Sequence, residues 1–152
     1  MALPNVFSKE VADRLVSRIN ALTAASPRQW GKMSVDQMLA HCNVTYELVY
    51  EDNHPKPGLV MGFILKKFVK NKVVTEVPYT KSGQTAPAFI VKTSRDFDLE
   101  KKRLIQYILQ TKDLGEKHFD NKMSHSFGTL SSNEWNNMFY KHLDHHLTQF
   151  GV

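Results

Sequence analysis

The last thirteen residues, Tyr140-Lys-His142-Leu-Asp144-His145-His146-Leu-Thr-Gln149-Phe150-Gly151-Val152, constrain the fold more than any other stretch of this chain. With the residues just before them they read as a helix: at about 100° per residue, Trp135, Met138, Phe139, Leu143, Leu147 and Phe150 fill one arc. His142 and His146 fall inside that arc, His145 sits at its edge, and Lys141, Asp144 and Thr148 lie opposite. Imidazoles directed into an apolar interior need partners, because a buried polar group without a hydrogen bond costs roughly 1 to 3 kcal/mol. Two readings meet that need. Each ring bonds a nearby backbone or side-chain group as a satisfied core histidine, or the pair shares a cation, His-x-x-x-His on one helix being half of a tetrahedral zinc site.

Three further helices follow from spacing. Phe7, Val11, Leu15, Ile19 and Leu22 mark an amphipathic helix over residues 7–22, ended by Ala24-Ala25-Ser26-Pro27. A second begins at Ser34-Val-Asp36-Gln37, a capping box flanked by a Met33/Met38 hydrophobic staple, and Ser131-Ser-Asn-Glu134 with Leu130/Trp135 repeats the device before the last helix. On the second helix Asp36, Asn43, Glu47 and Glu51 share a narrow polar arc, and His41 lies towards the edge of a wide apolar arc that includes Cys42 and Tyr46. Cys42, about 100° from His41, belongs to the core. A third helix spans residues 96–113, with Asp96, Asp98 and Glu100 at its positive end, Leu104, Ile105, Ile108 and Leu109 as its stripe, and Gly115 closing it.

Between residues 52 and 95 the pattern loosens. Asn53 to Gly58 is loop chemistry, residues 59–69 suit a short extra helix with Phe63, Ile64 and Phe68 on one side, residues 72–77 pass for a strand, and Lys81-Ser82-Gly83 for a turn. A crossover of about forty residues is long for a compact domain, and such insertions are often functional or cover a site. His54 reads as a loop surface residue. His118 and His125 fall in the polar connection before the last helix, and His125 is either exposed there or near a site mouth.

The 152 residues suit one domain, 1–152, long enough to bury about 70% of its unfolded surface. One cysteine allows no internal disulfide framework, no basic-then-apolar leader opens the sequence, and the longest apolar run, residues 59–65, is too short to span a bilayer. The expectation is a soluble, cytoplasmic protein with neither membrane nor nucleic-acid partners, since the net charge of +5 rests largely on a solvated run of Lys66, Lys67, Lys70 and Lys72 without interleaved aromatics. No Gly-rich phosphate loop, nucleophile elbow or paired-cysteine motif occurs. Four amphipathic helices with one long crossover make an all-α helical bundle the economical architecture, and bundle interiors are where facing helices build metal sites.

Met33-Ser-Val-Asp-Gln37-Met38-Leu39-Ala-His41, the long crossover, and Phe127-Gly128-Thr-Leu-Ser-Ser-Asn-Glu-Trp135 leading into the closing His142-Leu-Asp-His145-His146-Leu-Thr-Gln149-Phe150-Gly151 together resemble the DinB-like superfamily. The likeness is greatest to the branch ending in His-x-x-His-His-x-x-Gln-Phe-Gly, and it covers nearly the whole chain. It implies a four-helix up-down-down-up bundle, a homodimer, and a divalent ion held by His41, His142 and His146, with His145 as the neighbouring histidine that is not usually a ligand. Zinc or nickel comes first and iron after them, because three imidazoles suit all three metals. Three protein ligands leave a fourth position for water or substrate, as in catalytic zinc sites. The resemblance then implies a thiol-dependent transferase joining a small thiol to an electrophile, with the general base unassigned. The alternatives are a metal-dependent hydrolase with His145 or His125 as acid or base, and a non-catalytic, metal-stabilised binding or dimerisation module. Trp30, Tyr46 and Trp135 either line a pocket or pack in the core.

Overall fold

The structure, a computed structural model, describes residues 2–152. In chain order it has α1 (Lys9–Ala21), α2 (Val35–Tyr50), α3 (Leu59–Ile64), a π-helical stretch (Leu65–Val69), α4 (Lys70–Val74), a 3-10 turn (Pro87–Phe89), α5 (Phe97–Phe119), β1 (Lys122–Ser124), β2 (Gly128–Leu130) and α6 (Ser132–Gln149). Helix dominates, and the two short strands form one antiparallel hairpin that pairs Lys122 with Leu130 and Ser124 with Gly128. The class is all-α. No helix of the described residues is long and apolar enough to cross a membrane.

Local chemistry fixes where the long helices start. Ser8 Oγ accepts from the Val11 amide at 3.3 Å and the Asp96 carboxylate from the Leu99 amide at 3.0 Å. Gln37 Oε1 accepts from the Ser34 amide at 3.1 Å, and Ser131 with Glu134 completes a reciprocal box. Such caps satisfy amide groups that the first helical turn leaves unpaired, at about 1 kcal/mol each. They set the angle at which α2 and α6 leave their loops, and so the direction of the side chains two to four turns further on.

α2 lies along α5, α1 also packs on α5, and α6 touches all three. Between them a ladder of rings runs from Tyr107 through Tyr46 and Phe139 to Trp135, with centroids 5.5, 5.1 and 5.5 Å apart. Leu15, Ile19, Met38, Leu39, Leu104, Phe119 and Leu143 close around it, each no more than 1% exposed. Burying a side chain of this size contributes about 1.5 to 3 kcal/mol. The ladder therefore holds α2 against α6 as a stiff pair.

The structure departs from the sequence expectations at several points. Residues 72–77 are not a strand: α4 carries helix to Val74, because Asn137 and Lys141 of α6 bind the carbonyls at its end. The face of Phe63, Ile64 and Phe68 is turned to solvent, 62%, 40% and 60% exposed, since α3 rests on its own continuation and only α4 is seated on α6. Gly115 ends the regular run of the third long helix as expected, its φ of +74° breaking the helical course, but a second short helical stretch follows it to Phe119 and plants that ring in the core. The connection after α5 is a hairpin, tied by Ser124 Oγ donating to the Gly128 carbonyl at 2.7 Å. Lys81-Ser82 forms the expected turn, with Ser82 at φ of +56°.

Candidate metal centre

His41 stands on α2 two turns beyond its capped start, and His142 and His146 stand one turn apart on α6. The stiff α2–α6 pairing brings one ring nitrogen from each to within 4.8 Å of the others. The ring centres lie 4.9 Å apart for His41 and His142, 4.5 Å for His41 and His146, and 4.8 Å for His142 and His146. The closest approach is His41 Nε2 to His142 Nε2, at 2.9 Å.

The outer ring nitrogens decide which way the inner ones are protonated. His41 Nδ1 is 2.9 Å from the Phe89 carbonyl oxygen, which only accepts, so Nδ1 carries the proton and Nε2 a lone pair. His146 Nδ1 is 2.8 Å from Gln149 Oε1, and the orientation of that amide is set because its Nε2 donates to the Trp30 carbonyl at 2.8 Å. His146 therefore also presents a lone pair at Nε2. His142 Nδ1 faces Thr45 Oγ1 at 2.9 Å, and a hydroxyl works in either direction. With no cation in the cluster, Thr45 donates to His142 Nδ1, and His142 Nε2–H donates to His41. With one, His142 Nδ1–H donates to Thr45 and the third lone pair turns inward.

Electrostatics point the same way. Burial is the first cause holding all three imidazoles neutral, and each ring would further repel a charge on the others. His146 is pushed down to about 3, with His41 as its next cause, and His142 lies well below its ordinary value. His41 is lowered too, against the opposing pull of the Phe89 carbonyl. Three neutral imidazoles with acceptors fixing their far sides form a ligand set with its outer hydrogen bonds already in place. Metal–nitrogen bonds of about 2.0–2.1 Å at tetrahedral angles hold nitrogens about 3.3 Å apart. The cluster, with its closest pair at 2.9 Å and all three ligand atoms within 4.8 Å, lies within side-chain adjustment of that geometry. The residues fit a divalent ion.

The crossover covers the cluster. Phe89 lies tilted at 5.4 Å from His41 and edge-on at 5.8 Å from His142, and Tyr79 stands edge-on to His142 at 6.4 Å and to His145 at 5.7 Å. Lys141, expected on the solvent side of α6, is 5% exposed: its ammonium donates to the carbonyls of Lys72 and Thr75 at 2.8 and 2.6 Å, at the negative end of α4. Burial pushes its pKa down to about 8. Asp144 and Thr148, expected on the same side, bind Arg18 of α1 at 2.7 and 3.2 Å. A second clasp holds the far end of α6. The Gln149 carbonyl accepts from the Gln29 amide at 2.8 Å, and Gly31, at φ of +81°, lets the Gln149 side chain lie where a Cβ would stand 2.5 Å from its nitrogen.

The other expected residues fall as follows. His145 stays out of the cluster and meets Trp30, Tyr79 and His146 edge-on. His125 is not at the site mouth: it meets Ser126 Oγ and the His54 carbonyl, and His54 in turn pairs with Glu47 at 2.7 Å. His118 stacks on Phe119. Cys42 is sealed in the core beside Met38, burial pushing its thiol up. Tyr46 and Trp135 are core, 2% and 1% exposed, and Trp30 alone of the three aromatics lines a cleft. Sequence reasoning missed Thr45, Gln149, Tyr79 and Phe89. Two signals were present: Thr45 and Gln149 stand at i+4 and i+3 from His41 and His146. The two aromatics offered only a weaker one, each lying within two residues of a proline in the crossover.

A helical fold with a buried three-histidine cluster and pre-set outer partners defines a class of candidate metal proteins. The model of the family described as "Protein of unknown function (DUF1569)" matches residues 7–151, from just before α1 to Gly151, and the chain belongs to that family. No curated protein and no solved structure matches the chain.

Proposed function

We propose that the chain is a divalent-metal-binding protein of DinB-like type, its four long helices forming an up-down-down-up bundle, and that it acts in the cytoplasm, as a homodimer, as a thiol-dependent transferase on small electrophiles. The observation that carries the metal reading is the direction of the lone pairs. Two Nε2 atoms are fixed inward by pure acceptors, and the third is held by a hydroxyl that permits the same state. His41, His142 and His146 would hold the ion, zinc or nickel ahead of iron. When bound, the ion supplies Lewis-acid stabilisation of a thiolate at neutral pH. The chain's own residues do the rest: the Phe89 carbonyl, Thr45 and Gln149 orient the rings, while the Phe89 and Tyr79 rings keep water from their far sides. A hydrolase is the second reading. It draws on His145, which lines the adjoining cleft and is placed to move a proton there.

The test is metal content by elemental analysis of the native chain, His41→Ala, His142→Ala, His146→Ala and the control His145→Ala. About one equivalent is expected in the native chain and the control, with loss in the other three. A native chain that takes up no ion after incubation with zinc, nickel or iron overturns the metal reading. Saturable, metal-dependent binding of a small thiol then supports the transferase. Metal-dependent ester cleavage without thiol supports the hydrolase, and loss of folding on chelation with no ligand bound supports a binding module.

A further inference from the structure

Beside the histidine cluster, on the His145 side, lies a cleft of about 190 Å³. It is smaller than the roughly 300–1,000 Å³ of sites for drug-sized ligands, which limits an occupant to one ring or a short chain. Its walls are mostly apolar, from Trp30, Pro78, Tyr79 and Tyr140. What distinguishes it is the state of its polar groups. Lys81 holds its ammonium 4.4 Å above the Trp30 ring, and no carboxylate pairs with it among the described residues. The Trp30 indole N–H is buried without an acceptor. His145 makes ring contacts with Trp30, Tyr79 and His146, and feels the charges of Asp144 and Lys81. The acceptors nearby are already engaged: Asp144 binds Arg18 at 2.7 Å, and Glu76 has a partner of its own. Trp135 also has a buried indole N–H without an acceptor, but it lies in the closed core.

Two polar groups, the Lys81 ammonium and the His145 ring, thus edge one largely apolar cleft. Lys81 is exposed, and its ammonium, held over the Trp30 ring, offers an anion a cation beside an apolar wall. We propose that the cleft binds a small carboxylate with an apolar body. Lys81 and His145 receive its anionic group, and its body lies against Trp30, Tyr79 and Pro78. This names a substrate class for the proposed function, and it rests on that reading only in directing the far end of the molecule towards His142 and His146.

The test is calorimetric titration of 3-phenylpropionate into the metal-stripped native chain, with uncharged 3-phenylpropionamide for comparison. Lys81→Met is the variant. Lys67→Met is the control, because Lys67 makes similar contacts with Phe63 and Phe68 on the exposed helix, away from any cleft. The acid should bind the native chain saturably; binding should be at least about tenfold weaker for the amide, or for the acid in Lys81→Met, because the charge contact is lost, while Lys67→Met matches the native chain. Equal binding of acid and amide, native affinity in Lys81→Met, or no saturation at all overturns the assignment. Repeating the titration with zinc separates the two proposals. Acid binding in a chain that takes up no metal leaves this assignment standing alone, and metal uptake without acid binding leaves only the metal centre.

Discussion

α2 carries polar groups on two faces, and the chain supplies a cation on one and only neutral rings on the other. Towards α5, Asn43 donates to the Glu100 carboxylate at 2.7 Å, and Arg103 joins Glu100 at 2.9 Å to Glu47 at 2.6 Å. Tyr107 adds a bond to Glu51, and His54 one to Glu47. Three carboxylates there, Glu47, Glu51 and Glu100, meet one guanidinium from the same chain, and Asn43 Oδ1 is left without a partner. Towards α6, His41, His142 and His146 bring three nitrogens together, and their neutral rings can share only the proton on one of them. The histidines are the more buried, His41 and His146 at 5% and 8% exposed against 29% for the Arg103 side chain and 37% for that of Glu51. The lesson is that a buried polar cluster points to an external ligand when its lone pairs converge with no cation from the same chain to meet them.

The largest expected effect comes from removing the cation on the α5 side. Arg103→Met strands Glu47 and Glu100 and should lower stability by about 3 kcal/mol, the low end for a buried pair because the guanidinium is partly exposed. Urea denaturation should show the same loss with and without zinc. A loss below about 1 kcal/mol would make the network equivalent to a surface one and dissolve the contrast.

Next comes the pH response of the metal-free chain. The folded-state pKa of His146 is about 3 against an ordinary 6.5, so the unfolded chain binds more protons as pH falls. Stability from this group is complete above 6.5 and declines as pH drops towards 3. At pH 5 the 1.5-unit gap corresponds to roughly 2 kcal/mol. Denaturation at pH 7 and pH 5 should therefore show a smaller drop for His146→Ala than for the native chain, and equal drops would mean that this ring does not carry the response.

The smallest effect sharpens the comparison at one atom. Thr45→Val leaves His142 Nδ1 without its partner and should weaken zinc binding about tenfold, as loss of an outer hydrogen bond to a ligand does. Thr45→Ser should restore it. Competition against a chromogenic chelator measures both, and native affinity in Thr45→Val would show that the hydroxyl plays no part in setting the ring.

The contrast also marks what the sequence made legible. Helix starts at Ser34 and Ser131 could be read because a capping box is complete within four residues, and the inward direction of His142 and His146 because one helix's periodicity defines it. The arc of Asn43 and Glu47 read as simply polar, since Arg103, which makes it an interior network, lies 56 residues from Glu47. Lys141 failed in the same way: a wheel assigns faces from one helix, and α4 returns to cover that face from 66 residues back. The hairpin of three-residue strands is too short to show alternation, and it is held by Ser124 closing on Gly128. Phe89 and Tyr79 acquire their meaning only when the crossover folds down over the rings.

Gly31 touches none of the three histidines, yet the room left by its missing Cβ is where the Gln149 amide sits while it orients His146 and grips the Trp30 carbonyl. Any side chain there would displace that amide and strain the backbone at once. As the sequence drifts over generations, Gly31 should be as immobile as His146 itself: a loop glycine would be inherited as part of the site, under the same purifying pressure as the ring nitrogen it never meets.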